Sequence, residues 1–340
     1  MKIDLAIIGQ GAVSPAGVGV DALFHGKPVP VDVATLGQPE KAWPVLRVDQ
    51  KDPAFNRWQR EPRLRRASPI TFFLVEAAEQ TLTGLSPAER AETGLIVAFS
   101  AGCLAYSRRF FEGVLKQGQH TASPALFPET VFNSPVSHVA AVLGLNGAAY
   151  ALVGDESAWV GALQTASVWL QMKRVKQVVV LGVEEFDPVV LDAYRSVRWL
   201  RRQNSTQGFL TSEGAAGVLV SQGVPEKPRI ITARDGWIYR TRGQVACAAD
   251  KLLNETDPKL PIYPTAQRNW LGPVEQATTL KRSLIATDDQ PYLGEAFTAS
   301  AAWNTLRALG RLSPERPRLL IPVWGLNHQL AFLQLGNSNS

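Results

Sequence analysis

The segment Gly154-Asp155-Glu156-Ser157 has the frame of a nucleophile turn. An apolar stretch, Tyr150 to Val153, enters a small-residue bend, and a helix-like run starts at Ser157 and continues through Ala162, Leu163, Ala166 and Leu170. Such a bend aims a side chain at a helix N-terminus, where unpaired backbone N–H groups favour negative charge. Many enzymes hold a thiolate there. Here the place belongs to the carboxylate of Glu156. Ser157 offers a hydroxyl at the next position, although a serine following such a bend is more often an N-cap or first-turn residue. The two cysteines, Cys103 and Cys247, sit among small apolar residues as packed thiols do, and their number makes neither a disulfide framework nor a metal site. No metal and no cofactor is expected.

The elements that must position this turn alternate between the two periodicities. Strands are expected at Leu5–Ile8, closed by Gly9-Gln10-Gly11, and at Thr93–Phe99, Tyr150–Val153, Gln177–Val183 and Gly214–Val220; helices are expected at Ile70–Leu82, Ser134–Leu143 and Ser157–Lys173. This alternation argues for an α/β architecture. Residues 25–68, rich in proline and arginine, read as an irregular surface segment. The second half is a faint echo of the first. Arg229 to Ala233 leads into Asp235-Gly236 as Leu5 to Ile8 leads into its glycines, and Gln329–Leu335 answers Gly214–Val220. Helices are expected between them at Val274–Leu284 and Ala299–Leu309. Gln222 to Pro228, with two prolines and a glycine, reads as a linker between halves spanning 1–225 and 226–340.

With 340 residues, 45% hydrophobic and 19% charged, the chain can bury a large core. Its net charge of +5 is modest. Arginines cluster at 63–66, 108–109 and 195–202, either as solvated faces or as a docking surface for an acidic partner. No nucleic-acid motif accompanies them. Asp4 interrupts what would be the core of a signal peptide, and no run approaches the ~20 apolar residues of a membrane span. The expectation is a soluble, cytoplasmic protein.

Four segments carry a resemblance. They are Ile7-Ile8-Gly9-Gln10-Gly11-Ala12-Val13-Ser14-Pro15-Ala16-Gly17; Asn133-Ser134-Pro135-Val136-Ser137-His138-Val139-Ala140 with Gly144-Leu145-Asn146-Gly147; the Glu156 turn, with Ala162-Leu163 six positions on; and Gly208-Phe209-Leu210-Thr211-Ser212-Glu213-Gly214-Ala215-Ala216. In this order they resemble the β-ketoacyl-acyl-carrier-protein synthases, condensing enzymes of the thiolase fold. The resemblance implies a duplicated five-layer α-β-α-β-α fold and a dimer whose interface lies near the nucleophile strand. It also implies a cysteine that takes an acyl group from a carrier protein, and two histidines that support decarboxylation of a malonyl thioester. Carried onto this sequence, the cysteine position is Glu156. Alignment on Glu275 puts Pro264 at the first histidine, and Glu295 falls at the second. The family's C-terminal glycine-rich loop corresponds to Trp324-Gly325-Leu326-Asn327-His328, without its two adjacent glycines.

A carboxylate at 156 would have to carry an acyl group as a mixed anhydride, uphill from the thioester. Pro264 offers no donor, and an ionised Glu295 repels an enolate. Losing even one such donor typically costs about 3–4 kcal/mol of barrier. No catalytic residue is therefore expected. If Glu156 and Glu295 face one pocket, like-charge coupling raises the pKa of one of them, and a paired acid and base becomes conceivable with Ser157 or His328 as further candidates. The plainer expectation is that Glu156 caps its helix and Glu295 meets an arginine or water. His138 matches a structural position of the family; His25 and His120 have no motif around them. Trp159, Trp270, Trp303 and Trp324 fall in or beside the aligned segments, as core residues or as bulk filling a cavity.

The resemblance then points to a catalytically silent subunit, similar to the chain-length factors of type II polyketide, aryl-polyene or fatty-acid-like systems. Such a subunit forms a heterodimer with an active ketosynthase and shapes the tunnel for a chain carried by acyl carrier protein on phosphopantetheine. The alternatives are a malonyl-carrier-protein decarboxylase and a stand-alone thiolase-fold enzyme using Glu156 and Glu295.

Overall fold

Gly9 and Gly11 do not close the first strand; they lie inside it. Strand β1 (Lys2–Ser14) continues through them, with a bulge between Ile7 and Gly9. A Cβ on Gly9 would come within 2.1 Å of the Thr81 carbonyl oxygen, and one on Gly11 within 2.1 Å of that of Ala77. The glycines are where a helix lies directly on the strand, and the Gln80 side chain of that helix accepts from the Ala12 N–H at 2.9 Å. The structure, a computed structural model, describes residues 2–201, 208–266, 269–279, 282–287 and 289–338. Arg202, the end of the third arginine cluster, lies outside the described residues.

After β1 come β2 (Gly17–Val18), α1 (Ala22–His25), β3 (Pro30–Ala34), β4 (Ala42–Leu46), α2 (Asn56–Gln59), α3 (Pro69–Thr81), α4 (Pro87–Ala91), β5 (Thr93–Phe99), α5 (Leu104–Gln117) and α6 (Asn133–Leu143). They are followed by β6 (Ala149–Val153), α7 (Ala158–Gln171), β7 (Gln177–Glu184), α8 (Pro188–Ser196) and β8 (Gly214–Ser221). The last third contains β9 (Arg229–Ile238), α9 (Arg242–Asn254), α10 (Gly272–Thr279), α11 (Thr298–Leu309), β10 (Arg318–Trp324) and β11 (Gln329–Gly336).

The main sheet has the order β10-β11-β9-β1-β8-β7-β5-β6, with β2 paired to β1. β5 runs parallel to β6 and β7, and the remaining pairs are antiparallel. About the β1–β9 seam the order is palindromic: β1-β8-β7 on one side is answered by β9-β11-β10 on the other. The preceding helices match as well, since α7 leads into β7 as α11 leads into β10. Beyond β7 lie β5 and the edge strand β6; beyond β10 the matching places are held by isolated parallel bridges, Leu320 to Ile262 and Ile262 to Leu284.

Helices α3 and α6 cover the outer face of the first set of strands. Helices α7 and α11 lie against β5, β7 and β8 on one side and against β9, β10 and β11 on the other, while α9 covers the far face of β9 and β11 with α10 packed on it. The layers therefore run helix, sheet, helix, sheet, helix, as expected. The central core joins Trp159 and Leu163 of α7, Trp303 and Leu306 of α11, Val178 and Val180 of β7, and Ile321 and Leu333 of β10 and β11.

Other expectations need correction. Residues 25–68 are not irregular throughout: β3 and β4 form a hairpin, and Phe55, Trp58 and Leu64 are buried in the outer core beneath α3. Like β1, β9 continues through its Asp235-Gly236. The helix expected over Val274–Leu284 is present as Gly272–Thr279; Leu280 and Lys281 lie outside the described residues, and Leu284 bridges to Ile262. Strand β10 escaped notice; its Pro322 stands opposite Phe332 of β11, and the far side of the strand carries the bridge from Leu320 to Ile262. Cys103 is buried, but Cys247 lies on the outward face of α9 and is exposed.

Candidate functional site

Strand β6 delivers the turn to the end of β5, where Gly154 N–H donates to the Phe99 carbonyl at 2.9 Å. Asp155, and not Glu156, then serves the start of α7. Its Oδ1 accepts from the Ser157 N–H at 3.0 Å and from the Ser157 hydroxyl at 2.6 Å, while Oδ2 accepts from the Gln329 N–H at 3.2 Å. The expectation that Glu156 caps its helix is thus corrected: a side chain two residues before the amide reaches it with less strain, and Asp155 stands there. The Ser157 hydroxyl also touches Gln329 Oε1, which ties the turn to β11.

Glu156 turns inward. It is 4% exposed; its Oε2 accepts from the Leu326 N–H at 3.0 Å, and its Oε1 has no partner. The loop that supplies Leu326 joins β10 to β11 and can lie this close because Gly325 lacks a Cβ, which would sit 2.2 Å from Asp155 Oδ2. Tyr239 donates its hydroxyl to the Gly325 carbonyl at 2.6 Å, and Tyr194 exchanges hydrogen bonds with Asn327. His328, at the exposed end of this loop with φ 92°, places Nδ1 at 2.9 Å from the Tyr239 carbonyl. It is not among the residues that line the cavity at Glu156. His138 pairs with Glu129 at 2.9 Å, on α6.

Glu295 comes to the same place from the other side. A bridge to Thr211 holds its backbone, with the Glu295 N–H donating to Leu210 at 2.8 Å and the Ser212 N–H donating to Glu295 at 2.9 Å. Its Oε1 accepts from the Phe297 N–H at 3.0 Å, across a backbone with positive φ at Phe297 (46°). Ser300 and Asn269 hydrogen-bond the carboxylate further. The arginine expected beside it is not found among the described residues.

Glu156 and Glu295 line one cavity of about 20 Å³ together with Thr265, Asn269, Asn304 and Trp324. That is room for about one water molecule. Pro264 is not in the lining; its neighbour Thr265 is. This stretch is pinned by the buried Glu275, whose carboxylate accepts from the N–H groups of Thr265 and Ala266 at 2.9 and 3.0 Å and from Trp324 Nε1 at 2.6 Å. Of the four tryptophans, Trp324 borders this cavity and Trp303 an adjoining one of about 30 Å³. Trp159 is core, donating to Thr305 at 2.9 Å, and Trp270 stacks near Trp199 at 5.5 Å. Of the four rings, Trp324 alone borders the cavity at Glu156.

The electrostatics follow from this enclosure. Burial first, and then the neighbouring Glu295 and Asp155, push the Glu156 carboxyl well above its ordinary value; burial pushes Glu295 up to about 7. The expected coupling is present. Two backbone amides, its own and that of Leu326, serve Glu156, and the other polar side chains of the lining, besides Glu295, are those of Thr265, Asn269, Ser300 and Asn304. Sequence reasoning missed Asp155, Asn269, Asn304, Tyr194 and Tyr239. Only Asp155 had a readable signal, as an Asp-x-Ser start to an apolar helix.

The sequence matches the family described as "Beta-ketoacyl synthase, N-terminal domain" over residues 30–224, more than half of the chain. A comparison with curated proteins finds no match. Among solved structures, the ishigamide ketosynthase/chain length factor superposes with a TM-score of 0.78 at 17% identity, covering 98% of this chain and 99% of that one. A β-ketoacyl synthase from Burkholderia phymatum gives 0.75 at 14% identity, with 99% and 100% covered. A type II polyketide acyl-carrier protein in complex with its ketosynthase bound to the hexaketide gives 0.73 at 15% identity, with 99% and 100% covered. The chain shares the thiolase-like fold of these proteins over its whole length.

Proposed function

The chain belongs to the β-ketoacyl synthase family, and we propose that it is a member without condensing chemistry of its own, a chain-length-factor-like subunit that pairs with an active ketosynthase. The observation that carries this reading is the cavity of about 20 Å³ at the nucleophile position, lined by two carboxyls, two asparagine amides and Trp324. Neither an acyl group nor a phosphopantetheine arm fits a space for one water. With Glu156, Pro264 and Glu295 at the three positions of the triad, loading, enolate stabilisation and proton transfer all lack their groups.

Two surfaces support a partner. The edge strand β6 exposes Tyr150 (49%) and Val153 (52%) beside unpaired backbone groups, an edge that natural proteins usually cover. Helix α5 has no buried residue and turns Phe111 and Leu115 outward. In this reading the halves 1–225 and 226–340 form one scaffold, the partner supplies cysteine and histidines, and the chain helps to shape the tunnel for a polyketide, polyene or fatty-acid-like chain delivered by an acyl carrier protein. Acidic carrier protein suits the arginines at 63–66 and 108–109. No helix among the described residues is long and apolar enough to cross a membrane.

Co-expression with a ketosynthase that keeps its cysteine and two histidines tests the proposal. A stable one-to-one complex, whose product length changes when α5 is altered, is the expected outcome. A soluble homodimer that releases carbon dioxide from malonyl-carrier protein at enzymatic rates overturns it in favour of a decarboxylase.

A further inference from the structure

Between the end of β9 and the outward flank of α9 lies a groove of about 680 Å³. Trp237 and Ile238 form its strand wall, Gln244, Cys247 and Lys251 its helix wall, and Arg240 stands in the turn between them. Ile238 is 66% exposed. The Trp237 ring beside it is half-buried and held in place, with the Phe332 ring at 5.6 Å and the Arg234 guanidinium at 5.7 Å. Arg234 is paired with Glu255. Arg240 and Lys251 are exposed, and among the described residues neither enters an ion pair and no carboxyl lines the groove. The Arg240 N–H donates to Gln244 Oε1 at 2.8 Å, which seats Arg240 at one end. Lys251 lies two helical turns beyond Gln244, about 10 Å along the same face of α9.

We propose that this groove is a binding site for a medium-chain organic acid, with the carboxylate held at Arg240 and the chain laid along Trp237 and Ile238 towards Lys251. Three features select that class. The volume lies within the range of about 300–1,000 Å³ that small-molecule sites occupy. The unopposed charge is positive, and the guanidinium fork of Arg240 matches the two oxygens of a carboxylate. An apolar wall runs beside that charge; a bare inorganic anion would leave it in water, whereas an aliphatic chain covers it. The β9–α9 turn closes the groove at the Arg240 end. One extended chain therefore suits it better than a partner's helix, which needs both ends open.

None of these residues borders the cavity at Glu156, and occupancy does not depend on the pairing proposed above. A bound acid would join the two walls across the turn of residues 239–241. Tyr239 of that turn donates to the Gly325 carbonyl at 2.6 Å, so the groove is one side chain away from the β10–β11 loop. The protein also carries its own reporter. Cys247 is exposed on the helix wall, whereas Cys103, the other cysteine, is buried.

The test is the rate at which iodoacetamide alkylates Cys247 in the full-length protein, read by intact mass, with and without octanoate. Octanoate should slow labelling saturably, and half-protection should come at an about three- to fourfold lower concentration for each methylene added from hexanoate to octanoate. Octanol, which lacks the charge, and inorganic phosphate, which lacks the chain, should protect far less. Arg240→Gln with Lys251→Gln, both at exposed positions, should stay folded by circular dichroism and weaken protection by about tenfold or more. Ile238→Ser should flatten the dependence on chain length. Labelling at an unchanged rate up to the solubility limit of octanoate overturns the proposal, as does protection that octanol or phosphate matches. Protection by an acidic helical peptide but not by octanoate overturns it in favour of a protein partner.

Discussion

Glu185 offers a clean measure of how burial governs this protein's acidity. It is 4% exposed, and its two oxygens accept from the Ile70 N–H at 3.3 Å and the Ala105 N–H at 2.9 Å, at the starts of α3 and α5. Burial, with Glu213 and Asp187 adding repulsion, pushes its carboxyl from 4.5 up to about 8. A folded-state value above the unfolded one means that the stabilising contribution is complete below about pH 4.5 and is lost as pH rises through 8. At about 1.4 kcal/mol per tenfold change, the whole displacement is worth about 5 kcal/mol, of which about 3 kcal/mol falls between pH 6 and pH 9. Glu185→Gln removes that dependence. It also leaves one acceptor oxygen for two N–H groups, costing about 1–3 kcal/mol at pH 6. The variant should therefore be the weaker protein at pH 6 and should match or exceed the parent at pH 9. Urea denaturation at both pH values reads the difference directly. Glu184 and Glu275, each pushed up to about 7 by burial, act alike in both proteins and cancel. Parallel losses in parent and variant between pH 6 and pH 9 would refute the reasoning.

Gly325→Ala should destabilise the fold by roughly 2 kcal/mol or more, because its Cβ would meet Asp155 Oδ2 at 2.2 Å and the Gln329 carbonyl at 2.3 Å; a Tm within experimental error of the parent would contradict this. Glu156→Cys should remain unacylated by an acyl-carrier thioester, since the cavity of about 20 Å³ excludes the arm; a stoichiometric acyl mass on the intact protein would count against the closed site. Tyr150→Lys with Val153→Lys, on the exposed edge β6, should abolish co-purification with a ketosynthase while leaving Tm nearly unchanged; an undiminished complex would move the interface elsewhere.

The strands and helices nearest the site were legible in the sequence because their periodicity is strong. Thr93–Phe99 was read without error, and α6, β6, β7 and α11 within a residue or so at each end. Glycines misled it twice, at Gly9 and Gly236, because the residue that breaks a strand is the same residue that lets another element approach. Helices α5, α8 and α9 went unread because much of each faces solvent: α5 has no buried residue and α8 only Leu191. At the site, the identities at 156, 264 and 295 could be read, but not their neighbours. That Asp155 serves the helix, that Glu156 answers Leu326 from 170 residues away, and that Thr265 displaces Pro264 from the lining are products of long-range packing.

The layer formed by α7 and α11 also bears on how the chain is made. Helix α7 is complete by residue 171, but the strands that cover its second face, β9 and β11, end at residues 238 and 336. On the ribosome, therefore, the first half must wait with the apolar flank carrying Trp159 and Leu163 uncovered until β11 has emerged. Contacts spanning such sequence distances make for slow closure and a long exposure to wrong partners. Such a chain gains from a chaperone, or from being synthesised beside the subunit that is to receive it.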